Sequence, residues 1–461
     1  MTELSAARVP IRSLMSDLAS GALTARALLD QSLAAIADPA GEGSRAFLEV
    51  HDATAIAVAD GIDAVRSAGG TLPPLAGVPV ALKDLFDVAG QTTTAGSVVL
   101  ADEAPAERDA TAVSRVRGAG MVVTGRTHMT EFAFSGLGLN VHYDTPRSPW
   151  DRQTGRIPGG SSSGSAVAVA DGMAVAALGT DTGGSCRIPA AFCGIVGYKP
   201  TASRVPVDGV TPLSTSLDSV GPIGRTVDCC AIVDDVLAGG VGLVAEDKTP
   251  VDRLRLAVLS DLVTDDLDPE VASAYGTALG ALSAAGIELV DVPFPELRDI
   301  PTINPRGALA AAEAYAWHRE LLAAHGDRYD QRIRIRIAGG ADIGAADYID
   351  TVAGRGRLIE AAAERLAGYD AFVLPSVAVI PPSVESFGND DSPHYAQTNM
   401  LALRNTSVGN FLDTCAISMP STPPSAPPVG LMLMGRPGGD AALFAAARTV
   451  EAALGPVTSS P

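Results

Sequence analysis

The sequence predicts an α/β fold, a β-sheet whose faces are covered by helices. Short β-branched runs alternate with helix-like segments that carry their own start and stop signals, and the later helical segments are long enough to shield a sheet. Composition permits it: of 461 residues, 47% are hydrophobic and 19% charged, enough apolar material for a real core and no case for extended disorder.

The elements follow in order. Thr24 is placed to cap a helix running to Ile36, and Asp52 another that stops at Gly69 and Gly70. Residues 78–82 read as a strand ending at Lys83, and a helix near 112–117 precedes a second strand at 121–124. Residues 166–170 start a small-residue helix behind a Gly/Ser loop. In the second half, 254–259 reads as a strand, Asp268-Pro269-Glu270 opens a helix, and 287–292 returns as a strand. Residues 308–324 and 345–367 read as long helices, with two more strands at 371–374 and 429–434. The Pro-rich 421–428 reads as a rigid surface turn before the last strand, and 383–394 as an exposed loop able to sit over a site. Neither an internal repeat nor a flexible linker divides the chain, which predicts one domain over 1–461.

Charge narrows the partners. A net charge of −20 repels nucleic-acid phosphates and anionic membranes, so neither is expected, and a neutral or small substrate fits better. Cys186, Cys193, Cys229, Cys230 and Cys415 lack CxxC spacing and read as buried small hydrophobes, with neither a disulfide framework nor a metal site. Residues 1–10 show no basic region followed by an apolar run, and the apolar 166–178 is interrupted by Asp171 and Gly172. A cytoplasmic address is expected.

Chemistry concentrates in 157–200, where Gly159-Gly-Ser-Ser-Ser-Gly-Ser165 is followed by Gly179-Thr-Asp-Thr-Gly-Gly-Ser185 and Cys186-Arg-Ile-Pro189. Glycines there let the backbone turn tightly and expose amide N–H groups, which suits negative charge. A phosphate loop would need a Gly-Lys-Ser/Thr ending, which is absent. An oxyanion hole beside a nucleophilic serine fits better, with Thr182, Gly183 and Gly184 as donors next to Ser185. Gly160-Ser-Ser-Ser-Gly164 also matches a nucleophile elbow centred on Ser162, but the polar 151–158 is not the strand such an elbow requires. None of the six histidines lies within either serine motif. Lys83, at the end of an apolar strand, is a candidate base because desolvation favours its neutral form; pairing with Asp84 is the plainer alternative.

Together with Gly77-Val-Pro-Val-Ala-Leu-Lys-Asp84, these motifs resemble the amidase signature family, and weaker similarity covers nearly the whole chain, with a signature core at about 71–235. The resemblance implies a three-layer α/β/α domain with a central mixed, largely parallel sheet. It implies a Lys83–Ser161–Ser185 triad, with Ser185 the acyl-forming nucleophile, Ser161 the bridging serine after a cis Gly160–Ser161 bond, and no cofactor. Phe132, Ala133 and Phe134 align with a substrate-binding loop, with ordinary core packing of the aromatics as the equal alternative, while Asp181 and Arg187 bracket the nucleophile and are expected to pair as structural support. The activity implied is hydrolysis of an amide, carbamate or ureido C–N bond, with water as co-substrate and, as in many relatives, a homodimer. Two other readings stay open: the glutaminase A subunit of a tRNA-dependent amidotransferase, against which Ile188 stands where that subunit typically has glutamine, and a silent binding protein of the same fold.

Overall fold

The computed structural model describes residues 8–455; residues 1–7, where the stretch read for a secretory leader begins, and 456–461 lie outside the described residues. Helix starts follow the sequence cues. Thr24 Oγ1 accepts from the Ala27 amide at 3.0 Å and opens the helix Ala25–Ala37. The helix Asp52–Ser67 begins one residue earlier than expected, with His51 at the capping position and Asp52 in the first turn, where its carboxylate meets the positive end of the helix dipole. Pro269 opens Pro269–Ala284, and the long helices Ala308–His325 and Ala345–Arg365 form where the pattern predicts them.

The strands are β1 (Phe47–Val50), β2 (Pro79–Lys83), β3 (Val122–Thr127), β4 (Ala176–Thr180), β5 (Val196–Lys199), β6 (Val220–Gly224), β7 (Arg255–Val258), β8 (Glu288–Asp291), β9 (Ala371–Pro375), β10 (Ala416–Pro420) and β11 (Gly430–Met434). They form one 11-stranded sheet in the order β1-β3-β2-β4-β6-β5-β10-β11-β9-β7-β8. The sheet is mixed, as expected, but parallel pairing is confined to two wings, β3-β2-β4 and β9-β7-β8. Its centre, from β4 through β6, β5, β10 and β11 to β9, is antiparallel. The Pro-rich turn explains part of this, because it joins β10 to β11 as a hairpin closed by Ser421 N to Val429 O at 2.9 Å, and a short connection of that kind cannot join parallel neighbours.

Alternation along the strands sorts the core onto two faces. In β2, Val80 and Leu82 pack with the helices Ile11–Ser20, Thr111–Gly118 and Val227–Leu237, while Ala81 packs with Ser163–Ala170. In β11, Leu431 and Leu433 pack with Asp440–Leu454, while Met432 and Met434 face the helices Ala345–Arg365 and Pro393–Phe411. All five cysteines are free and buried. Among the described residues no helix is long and apolar enough to cross a membrane.

Candidate active site

β2 and β4 run parallel with Leu82 beside Leu178, so both strands end on the same side of the sheet. This brings Lys83 to Thr180: the fully buried Lys83 Nζ donates to Thr180 Oγ1 at 2.7 Å and to Ser161 Oγ at 2.8 Å. Among the described residues no carboxylate lies within 4.0 Å of it. Asp84, the expected alternative partner, is taken by Arg126 at 2.6 Å and by the Gly96 amide at 3.0 Å. Burial lowers the Lys83 pKa to about 8 against the weaker pull of Cys186, Asp218 and Asp181.

Ser161 follows a cis Gly160–Ser161 bond, as the resemblance implied. The serines after it have other partners. Ser162 Oγ donates to Thr180 O at 3.4 Å, Ser163 Oγ meets His128 Nδ1 at 2.8 Å, and Ser165 Oγ meets Thr127 Oγ1 at 2.7 Å. These bonds pin the first turn of Ser163–Ala170 onto β3 and β4. Burial holds His128 neutral, its pKa lowered to about 3, and among the described residues no histidine hydrogen-bonds Ser161, Ser162 or Ser185.

The turn between β4 and the helix Arg187–Cys193 carries Ser185. Asp181 and Arg187 brace it as a fully buried bidentate pair, Nε to Oδ2 at 3.0 Å and Nη2 to Oδ1 at 2.8 Å. Burial alone would raise the Asp181 pKa; the Arg187 guanidinium overrides it and brings the carboxyl to about 2. Gly184 departs from the expectation: its amide already donates to Asp181 Oδ1 at 2.9 Å. The amides of Thr182, Gly183 and Ser185 have no acceptor among the described residues. The Ser185 hydroxyl makes no side-chain hydrogen bond there either, so Lys83 and Ser161 are joined directly and Ser185 is not yet joined to them.

Ser185, Thr182 and Gly183 open into a cavity of about 150 Å³ whose walls include Ala133, Phe134, Leu217 and Arg336. Phe132 is not among its walls. The backbone there turns through positive φ at Phe132 and Ala133, and the Phe132 ring stands 4.4 Å from the His318 ring and 5.2 Å from Tyr329 in an aromatic cluster. Nor does the 383–394 loop line the cavity; its Ser383 bridges Arg156, and it leads into the helix Pro393–Phe411.

Sequence reasoning missed three contributors. Thr180 is one of the two acceptors of Lys83, and its place at the end of an apolar strand beside β2 was the available signal. Asp218 accepts from Thr182 Oγ1 at 2.5 Å and from the Leu213 and Ser214 amides; burial raises its pKa to about 6. Asn410 holds both the Asp181 carbonyl, at 3.0 Å, and Arg187 Nη2, at 2.7 Å. Among the described residues no cluster of His, Cys, Asp or Glu could hold a metal ion.

A buried lysine hydrogen-bonded to two hydroxyls, beside a serine on an amide-rich turn, is an arrangement that suits acyl transfer. The comparisons agree. The family model named Amidase matches residues 29–444, and the chain belongs to the amidase signature family. It is 38% identical, over 87% of each chain, to 2-amino-5-chloromuconic acid deaminase of Comamonas testosteroni. It is 35% identical, over 98% of each, to the A subunit of the glutamyl-tRNA(Gln) amidotransferase of Anaeromyxobacter dehalogenans (strain 2CP-C). Among solved structures, a crystal structure of an amidase superposes with a TM-score of 0.86 at 31% identity, covering 97% of this chain and 100% of the other. The native peptide amidase of Stenotrophomonas maltophilia superposes with 0.79 at 27%, covering 96% of each. The protein is an enzyme that hydrolyses C–N bonds of amides or amide-like compounds.

Proposed function

We propose that Ser185 is the nucleophile, Lys83 the base and Ser161 the bridge between them. Neutral Lys83 takes the Ser161 proton while Ser161 takes that of Ser185, whose oxygen attacks the scissile carbonyl. The Thr182, Gly183 and Ser185 amides, free of other acceptors, receive the developing oxyanion, each worth about 3–4 kcal/mol of transition-state stabilisation. Collapse breaks the C–N bond, and the leaving nitrogen takes a proton returned from Lys83 through Ser161. Water, activated by the same pair, then attacks the acyl-enzyme, releasing the acid and restoring Ser185. The relay requires the Ser185 hydroxyl to hydrogen-bond Ser161, a tightening common when substrate binds. Asp181 and Arg187 keep the turn in shape, and Ala133 and Phe134 contact the substrate. Five free, buried cysteines support a reducing compartment, the cytoplasm.

The observation that carries this reading is Lys83: fully buried, without a carboxylate partner, and hydrogen-bonded to Ser161. The test is a panel of amides, carbamates and small ureido acids offered to wild type, Ser185→Ala and Lys83→Ala. Turnover should vanish in both variants while circular dichroism stays that of the wild type. Near-normal turnover in Lys83→Ala would sink the relay. A second reading, the glutaminase component of an amidotransferase, is favoured by the 98% length match to such a protein and opposed by Ile188.

A further inference from the structure

The chain carries 53 acidic residues against 33 lysines and arginines, yet the cavity beside Ser185 has the opposite balance. Its walls include Arg306 and Arg336 and no Asp or Glu. Buried arginines elsewhere have a carboxylate partner, Arg126 with Asp84, Arg187 with Asp181 and Arg332 with Asp330, although Arg126 Nη1 and Nη2 and Arg225 Nε are also buried without a hydrogen bond. Among the described residues neither Arg306 nor Arg336 has a carboxylate within 4.0 Å, and Arg336 Nη1 is buried with no hydrogen-bond partner. A guanidinium nitrogen withdrawn from water and left unbonded is costly unless something else completes it.

Arg336 is half-buried at the cavity wall, while Arg306 borders the same cavity with its side chain exposed. Arg336 lies in the last turn of the helix Gln331–Ala338, which buries Ile333 and Ile337, and its guanidinium sits 4.8 Å over the Phe134 ring. That stacking fixes the plane of the fork and leaves its edge for an acceptor. Arg306 has φ +55° next to Gly307 at φ +74°, in a loop tied down by Leu309 N to Asn304 Oδ1 at 2.9 Å. A non-glycine residue in the left-handed region is uncommon, and such conformations gather at ligand clamps.

We propose that the substrate bears a carboxylate besides its scissile amide, and that Arg336 grips this carboxylate while Arg306 adds positive charge at the same wall. The reading rests on Ser185 as the reacting residue. A bidentate guanidinium–carboxylate bond would complete the orphaned nitrogen and fix the distance from the anion to the carbonyl under attack. The cavity, at about 150 Å³, is smaller than the roughly 300 Å³ at which sites for larger ligands begin, so the substrate is compact: a short dicarboxylic acid monoamide or a small N-acyl amino acid. The global charge still repels polyanions; the two arginines reverse the local sign for one small anion.

The test compares glutaric acid monoamide with 5-methylhexanamide, in which an isopropyl group replaces the carboxylate. Wild type should favour the acid at least tenfold in kcat/KM. Arg336→Gln should bring that ratio to about one, through the KM of the acid, with Arg336→Lys between. Calorimetry on Ser185→Ala, which needs no turnover, should show the same preference for the acid and its loss when Arg336→Gln is added. Equal binding of the two compounds, or no binding of the acid, would overturn the proposal, as would an Arg336→Gln effect of equal size on both. Turnover surviving in Ser185→Ala would overturn the nucleophile reading alone, because the calorimetric preference stands apart from it.

Discussion

Desolvation disfavours the Lys83 ammonium, and with a pKa of about 8 the side chain is still largely protonated at neutral pH. Only its neutral form accepts a proton, so kcat/KM is expected to rise with pH through about 8 and level off above it. A profile flat from weakly acidic to alkaline pH would contradict Lys83 as the base. Arg187 makes a different kind of contribution. Arg187→Met would leave the Asp181 carboxylate buried without its cation, and breaking such a pair costs about 3–5 kcal/mol, read as a lower urea midpoint. Because the Asp181 pKa lies below its ordinary value, the stability it lends is present above roughly pH 4 and fades as pH falls toward 2. At this scale the sequence disclosed the residues of the glycine- and serine-rich motifs and little of what surrounds them. Thr180 lies inside the second of those motifs without standing out there, and Asn410 reaches the Ser185 turn from more than two hundred positions away in the chain. For Phe132 the core alternative fits the geometry, because a backbone turn of positive φ sends its ring into the His318 and Tyr329 cluster.

The turn that carries Ser185 depends on how closely its neighbours approach. Gly184 has φ +131°, and a Cβ there would strike the Thr406 hydroxyl of the helix Pro393–Phe411. Gly184→Ala is therefore expected to displace that helix, lowering kcat by at least tenfold and the melting temperature by several degrees, measured by kinetics and thermal unfolding. Unchanged values of both would mean the contact yields freely. The same helix shows why some elements were illegible. Its buried face carries Thr398, Asn399, Asn405, Thr406 and Asn410, so it has no apolar stripe to betray a period of 3.6. β4, β5 and β6 were missed for a related reason: they are buried on both faces and built partly from Ala and Gly, which erases the alternation and the β-branched signal alike. Strands such as β7 and β11, bounded by clear breaks and rich in Leu, Val or Met, stood out.

Across the whole molecule, the alternation of helix and strand was readable, but the order of the strands was not, since pairings such as β5 with β10 join segments from different halves of the chain. The parallel wings followed the helix-linked grammar and the antiparallel centre did not, because nothing local in β6 states its direction and only the short turn after β10 hints at one. The quaternary prediction belongs here. If the enzyme acts alone, affinity-purified protein should carry no stoichiometric partner chain and should hydrolyse simple amides; co-purification of a stable heteromer with glutaminase activity would favour the amidotransferase reading.

The pairing of Leu82 with Leu178 has an outcome for how this enzyme is assembled. Side chains on a strand alternate with period two, so sliding β2 past β4 by a single position would send the ammonium to the wrong layer, away from both hydroxyls. A chain mispaired there could keep its helices and compactness and still be inert. Recovered catalytic rate after dilution from denaturant would then count correctly threaded molecules, where far-ultraviolet ellipticity counts every folded-looking one.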